Sequence, residues 1–252
     1  MRIVRQYWFL ILPIIILTAA YSYFGQRYNN LEFRSLSFPN GFRELLLQNN
    51  SSRIDPLFGI RRLSGNSGLQ DSDLNICDAL FRDPASPTVG NDDAIIRIVE
   101  FFDYRCPYCK KLSSLITKLR ISDRRVRVIY KEWPILGESS ELSARAALAA
   151  AKQGKYLEFH SRLMRSGFIP TIGYIKGLAT DLGLDQSQFG MDMDSDETMF
   201  AIQRNVAVAT KMGFIGTPSI VVGRTIIRGA ITSAQLNSLV EIESSSEQPP
   251  HC

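Results

Sequence analysis

The sequence predicts an α/β domain built around a βαβ unit, with an all-helical lobe inserted into it. Three observations carry that expectation. The run AIIRIVEFF (94–102) is rich in β-formers and nearly continuous in apolar residues, as in a strand covered on both faces. Leu112, Leu115, Ile116 and Leu119 then recur at helical spacing, and RVRVIYKEW (125–133) follows as a second strand, completing strand, crossover helix and strand. Finally, residues 139–212 carry helical periodicity throughout, with Gly154, Gly167, Gly183 and Gly213 as stops. A composition that is 45% hydrophobic and 21% charged is that of a globular protein, and 252 residues suffice for a sizeable core.

Taken in order, Arg2 and Arg5 precede an uncharged run, YWFLILPIIILTAAYSYF (7–24), which as a helix spans about 27 Å, close to a bilayer core. Residues 1–28 are therefore a signal peptide or a signal anchor, with the amino end in the cytoplasm and the remainder exported. The small-x-small TAA (18–20) suits cleavage, whereas Tyr7, Trp8, Tyr21, Tyr23 and Phe24 suit an anchor held at two interfaces, and both remain open. Residues 29–90 read as an N-terminal extension and linker with a short helix near 41–48. The main domain is expected over 91–244, its helical insertion at about 138–212. Within it, SIVV, then Gly223-Arg224, then TIIRG read as a β-hairpin with a two-residue turn, and a last helix starts at a cap near Thr232. Residues 245–252 read as a disordered tail.

Lys plus Arg (29) exceed Asp plus Glu (25) by only four, and the basic residues are scattered, which argues against nucleic acid as a partner. The chemistry lies in FFDYRCPYCKKL (101–112), where Cys106 and Cys109 stand two residues apart at the junction of the first strand and its helix. A zinc site would need a second C-x-x-C or a suitably spaced His pair, and the other candidates, Cys77, His160, His251 and Cys252, do not supply one. A structural disulfide would not explain the strand-turn-helix setting. At the first turn of a helix, unpaired amides and the helix dipole favour a thiolate, so Cys106 is the expected nucleophile and Cys109 the resolving thiol. Pro107 suits a first helical position. No cofactor and no metal are required. Cys77 reads as a packed free thiol, with a pairing to Cys252 as the alternative, and His160 reads as a satisfied structural histidine. The acids of MDMDSDET (191–198) read as the start of a helix rather than a calcium loop. A carboxylate inside a run as apolar as IIRIVEFF is costly to bury unless paired or protonated, so Glu100 is a candidate for a role, its alternative being a strand end facing water.

Four segments, IVEFFDYRCPYCKKL, VIYKEWPILGESS, AALAAAKQGKYLEFHSRLM and GFIGTPSIVVGRTIIRG, resemble the DsbA-like branch of the thioredoxin superfamily from about residue 94 to 243. The resemblance implies a thioredoxin-like fold and exported thiol-disulfide oxidoreductase activity towards reduced or misfolded envelope proteins. It implies that Pro218 is a cis-proline facing the dithiol, with Thr217 offering backbone groups to bound peptide beside Pro107 and Tyr108. It implies that Glu100 and Lys131 form a buried pair beneath the dithiol, and that a membrane partner of the DsbB type reoxidises the enzyme. Tyr108 departs from the histidine of the strongly oxidising members, which puts a strong oxidising potential in doubt. An isomerase or reductase with residues 29–90 as a dimerisation segment is the alternative within enzymes; a non-catalytic envelope module that binds unfolded chains is the alternative outside them. Residues 29–90 lie outside the resemblance.

Overall fold

The structure, a computed structural model, describes residues 31–47 and 75–246. Among them, strands β1 (Glu32–Ser35), β2 (Arg43–Leu46), β3 (Thr88–Gly90), β4 (Ile96–Phe102), β5 (Val126–Glu132), β6 (Ser219–Val222) and β7 (Thr225–Arg228) form one mixed sheet in the order β1-β2-β7-β6-β4-β5-β3. The central strands β4 and β5 run parallel, joined by helix α2 (Pro107–Ser122), which is the expected βαβ unit. β6 pairs antiparallel with β4, and the β6–β7 hairpin turns at Gly223-Arg224 as read from the sequence. Gly223 has a φ of +55°, and a Cβ there would lie 2.5 Å from the Glu243 carboxylate, so both backbone and space require glycine.

The near-continuous apolar runs of β4 and β5 are explained by helices on both faces. Ile96, Ile98, Phe102, Val126, Val128 and Tyr130 pack with α2 and with α8 (Ser233–Ser244). Val99, Phe101 and Ile129 point the other way, into a core with α1 (Ile76–Phe81) and α7 (Asp196–Lys211). Ile98, Val99 and Phe101 are each 0% exposed, and a side chain so removed from water contributes roughly 2 kcal/mol. The lobe between β5 and β6 consists of α3 (Glu138–Lys152), α4 (Tyr156–Arg165), α5 (Ile172–Asp181), α6 (Gln186–Met193) and α7. Buried Ala146, Ala147, Ala149 and Ala150 give α3 a smooth flank against its neighbours. The last helix starts where expected, with Thr232 and Gln235 closing a capping box.

Three expectations are corrected. The helix placed near 41–48 is strand β2, which pairs in parallel with β7; four residues of Arg-Glu-Leu-Leu are too short to nucleate a helix, and an open sheet edge supplies their backbone partners. The stretch read as extension and linker therefore contributes β1 and β2 to one edge of the sheet and β3 to the other. Cys77 is disulfide-bonded rather than free, while Cys106 and Cys109 are both free thiols. The fourth cysteine, Cys252, the apolar run 7–24 and residues 247–252 lie outside the described residues; among those described, no helix is long and apolar enough to cross a membrane.

Candidate active site

β4 ends at Phe102, and the chain turns through Asp103, Tyr104 and Arg105 into α2, whose N-cap is Cys106. Asp103 holds that turn. Its carboxylate accepts from the backbone N–H groups of Arg105 (2.7 Å), Ile135 (2.8 Å) and Leu136 (2.9 Å) and from Ser140 Oγ (2.7 Å). Its carbonyl accepts from the Cys106 N–H at 3.1 Å. The loop before the dithiol is thus tied to the loop after β5 and to the start of α3. Pro107 occupies the first turn and is exposed, while Tyr108 is half-buried against the main core.

The two thiols differ sharply. The Cys109 N–H donates to Cys106 Sγ at 3.4 Å, and Cys106 Sγ–H donates to the Thr217 carbonyl, also at 3.4 Å. Hydrogen bonding from the Cys109 thiol, helped by the Cys109 and Tyr108 amides and the Thr217 side chain, brings Cys106 down to about 6 against the opposing effect of burial. Cys109, 0% exposed, is pushed well above the ordinary thiol range, first by burial and then by Cys106. The peptide bond between Thr217 and Pro218 is cis, and both residues are buried directly before β6. The structure therefore brings Cys106, Cys109 and Thr217 together, with Pro218 adjoining.

Glu100 lies beneath α2, on the same face of the sheet as Phe102 and Tyr130. It is 0% exposed, and neither of its carboxyl oxygens has a hydrogen-bond partner among the described residues. Burial, and then the charge of Cys106, raise it to about 8. The expected pairing with Lys131 is not formed. In the β4–β5 register Glu100 stands opposite Tyr130 and Lys131 opposite Phe101, so the lysine emerges on the other face of the sheet. There its ammonium reaches Asp83 at 2.9 Å and Ser86 at 2.7 Å, and Arg204 joins Asp83 at 2.6 Å. Lys131 pins the segment that leads into β3, away from the dithiol.

Sequence reasoning missed two further buried carboxyls, Asp103 and Glu132. Glu132 Oε1 accepts from the hydroxyls of Tyr104 at 2.8 Å and Tyr156 at 2.9 Å. Burial pushes its carboxyl well above the usual range, against the two hydroxyl donors. The argument that singled out Glu100, an acid inside an apolar strand, applies equally to Glu132 in VIYKEW and would have found it.

A strand leading to a C-P-Y-C dithiol at a helix N-terminus, facing a cis-proline, is the arrangement that defines the thioredoxin superfamily. The family model described as Thioredoxin matches residues 82–242, and the chain belongs to that family, in its DsbA-like thiol-disulfide oxidoreductase branch. Among solved structures, a thioredoxin-like oxidoreductase from Silicibacter pomeroyi is similar at 41% identity and a TM-score of 0.64, over 67% of this chain and 98% of that one. A periplasmic thioredoxin-like protein from Salmonella enterica serovar Typhimurium is similar at 34% identity and a TM-score of 0.60, over 68% and 97%. The probable disulfide bond formation protein D of Bacillus anthracis is 26% identical over 156 residues, 57% of this chain and 72% of that one. Some curated relatives are much longer: the match to a sodium/proton antiporter, NhaA of Herminiimonas arsenicoxydans, at 26% identity, covers 63% of this chain and 26% of the antiporter.

Proposed function

We propose that the protein is an exported thiol-disulfide oxidoreductase that passes a disulfide from Cys106-Cys109 to folding envelope proteins. The observation that carries this is the asymmetry of the dithiol: Cys106 is held down to about 6 at a helix mouth, and Cys109 is pushed up in the core. In the forward direction a substrate thiolate attacks Cys106 Sγ of the oxidised pair, and the Cys109 sulfur leaves with the electron pair. Cys109, whose environment opposes a charge, then takes a proton. A second substrate thiolate attacks the substrate sulfur of the mixed disulfide, Cys106 leaves as the stabilised thiolate, and the substrate carries the new disulfide away while the enzyme is left reduced.

Several residues have distinct parts in this reading. Glu100, buried beneath the pair and raised to about 8, exchanges the proton that Cys109 gains or gives up. The Thr217 carbonyl beside Cys106 marks where substrate backbone lies, with Pro218, Pro107 and Tyr108 as the remaining walls. Lys131 has no part in the chemistry. A DsbB-type membrane partner regenerates the disulfide, and the periplasmic setting of the Salmonella protein supports an extracytoplasmic location. Whether the apolar run 7–24 is removed decides between a soluble and an anchored form.

The test is oxidation of a reduced, unfolded disulfide protein by the oxidised enzyme. Cys106→Ser abolishes transfer under this proposal. A Cys106→Ser protein that suppresses aggregation and promotes refolding as well as wild type would establish a binding module instead.

A further inference from the structure

A histidine outside the dithiol is built into the joint that carries it. His160, on α4 of the helical lobe, is 1% exposed. Its Nδ1 lies 3.0 Å from the Tyr104 hydroxyl and its Nε2 lies 3.1 Å from Ser113 Oγ. Tyr104 belongs to the loop two residues before Cys106. Ser113 lies four residues after Cys109, one turn further along the same face of α2. The imidazole thus spans the junction between the loop that delivers one thiol and the helix that holds the other.

A neutral imidazole has one donor and one acceptor, and both ends of the ring are matched: Nδ1 meets the Tyr104 hydroxyl, itself 2.8 Å from Glu132 Oε1, and Nε2 meets the Ser113 hydroxyl. The ring is held flat by aromatic neighbours: it stacks on Tyr156 at 25° and meets the edge of Phe102 with centroids 5.0 Å apart. Burial lowers its pKa to about 3, so the imidazole stays neutral and keeps one donor and one acceptor at opposite ends.

We infer that His160 is a positioning residue for the dithiol, a rigid brace between Tyr104 and Ser113 that holds Cys106 against the amides of the first turn of α2. The inference rests on the oxidoreductase reading of that dithiol. The contact at stake is the Cys109 N–H to Cys106 Sγ hydrogen bond, 3.4 Å long, whose alignment depends on the angle between loop and helix. Loosening the brace removes donors from the thiolate, which disfavours the reduced enzyme and makes the disulfide a weaker oxidant. Because Tyr156 and His160 both belong to α4, the brace also couples the seating of the lobe to the reactivity of the dithiol.

The experiment uses the full chain with His160→Phe, His160→Gln, Tyr104→Phe, Ser113→Ala and the Tyr104→Phe/Ser113→Ala double variant. For each, the alkylation rate of Cys106 in the reduced protein, the equilibrium with glutathione and the melting temperature are measured. His160→Phe is expected to lower the equilibrium constant for substrate oxidation about tenfold, the equivalent of one hydrogen bond. His160→Gln, which retains a donor and an acceptor, is expected to recover part of that loss. The double variant should lose less than the product of its single losses, since both substitutions break one chain through His160. If His160→Phe does not fold, the Tyr104 and Ser113 variants carry the test. Variants that lower the melting temperature but leave alkylation and the glutathione equilibrium within about twofold of wild type overturn the positioning role. A wild-type protein that exchanges no disulfides overturns the functional reading, and the inference with it.

Discussion

Cys106 is shifted by contacts from the first turn of α2 and from Thr217, so its behaviour is testable side chain by side chain. Alkylation of the reduced protein should proceed at Cys106 well below the pH needed for an ordinary thiol, with a midpoint near about 6, while Cys109 reacts far more slowly. Equal rates for the two at neutral pH would remove the assignment. Glu100 allows a second test, and its sign follows from linkage. Its folded pKa, raised first by burial, is about 8 against an ordinary 4.5, so between those values the folded protein keeps a proton that the unfolded chain has lost. The unfolded state then binds fewer protons, and stability falls as pH rises through that window. Glu100→Gln should flatten this fall in denaturant unfolding of the reduced protein and should slow dithiol turnover; parallel pH profiles for variant and wild type would show that Glu100 does not titrate there. Lys131→Met should leave the Glu100 titration unmoved, because the two lie on opposite faces of the sheet. It should instead cost about 3 kcal/mol, since Asp83 loses a buried partner. A shift of the Glu100 midpoint in that variant would restore the discarded pair.

At the scale of elements, strand β2, one in from the sheet edge, is held to the domain by more than its ladder. Arg43 on β2 donates to Glu243 Oε1 at 2.9 Å, and Thr225 Oγ1 on β7 donates to the same oxygen at 2.6 Å. The other carboxylate oxygen accepts from the Arg224 N–H at the hairpin turn, at 3.2 Å. One buried acid on α8 therefore joins the first described hairpin, the β6–β7 turn and the last helix. Glu243→Ala should cost about 3 kcal/mol, because three donors lose their acceptor together. Hydrogen exchange should show the loss concentrated in β2 and β7, with alkylation of Cys106 unchanged. A uniform loss of protection across the sheet, or slower alkylation, would show that this corner is not independent of the active site.

For the molecule as a whole, the direction of chemistry depends on how far the fold stabilises the Cys106 thiolate. Thiol pKa values of about 7 in thioredoxin and about 3.5 in DsbA accompany potentials of about −270 and −120 mV. Under the proposed function, a Cys106 held at about 6 predicts a potential between those two, to be measured in equilibrium with glutathione. Tyr108→His should make it more oxidising in equilibrium with glutathione, by adding a charge or donor beside the thiolate. No change on that substitution, or good rescue of scrambled disulfides with poor oxidation of reduced substrates, would favour the isomerase.

What the residues determined alone was local. The apolar runs of β4 and β5, the stripe of α2, the glycine turn of the β6–β7 hairpin and the cap at Thr232 are each short-range patterns with a period or a turn chemistry of their own. The dithiol was legible for the same reason, since both cysteines lie in a helix start four residues long. Lys131 was misplaced because family likeness locates a strand but not its register, and a shift of one residue carries a side chain to the opposite face. The strand at Arg43–Leu46 read as a helix because one of its two partners, β7, lies about 180 residues further along the chain. His160, Tyr104, Ser113 and Glu132 come from four separate elements, and only their packing makes them one hydrogen-bonded chain. Pairings across a sheet and between layers depend on distances that no local pattern records, and for that reason the tertiary structure decided them.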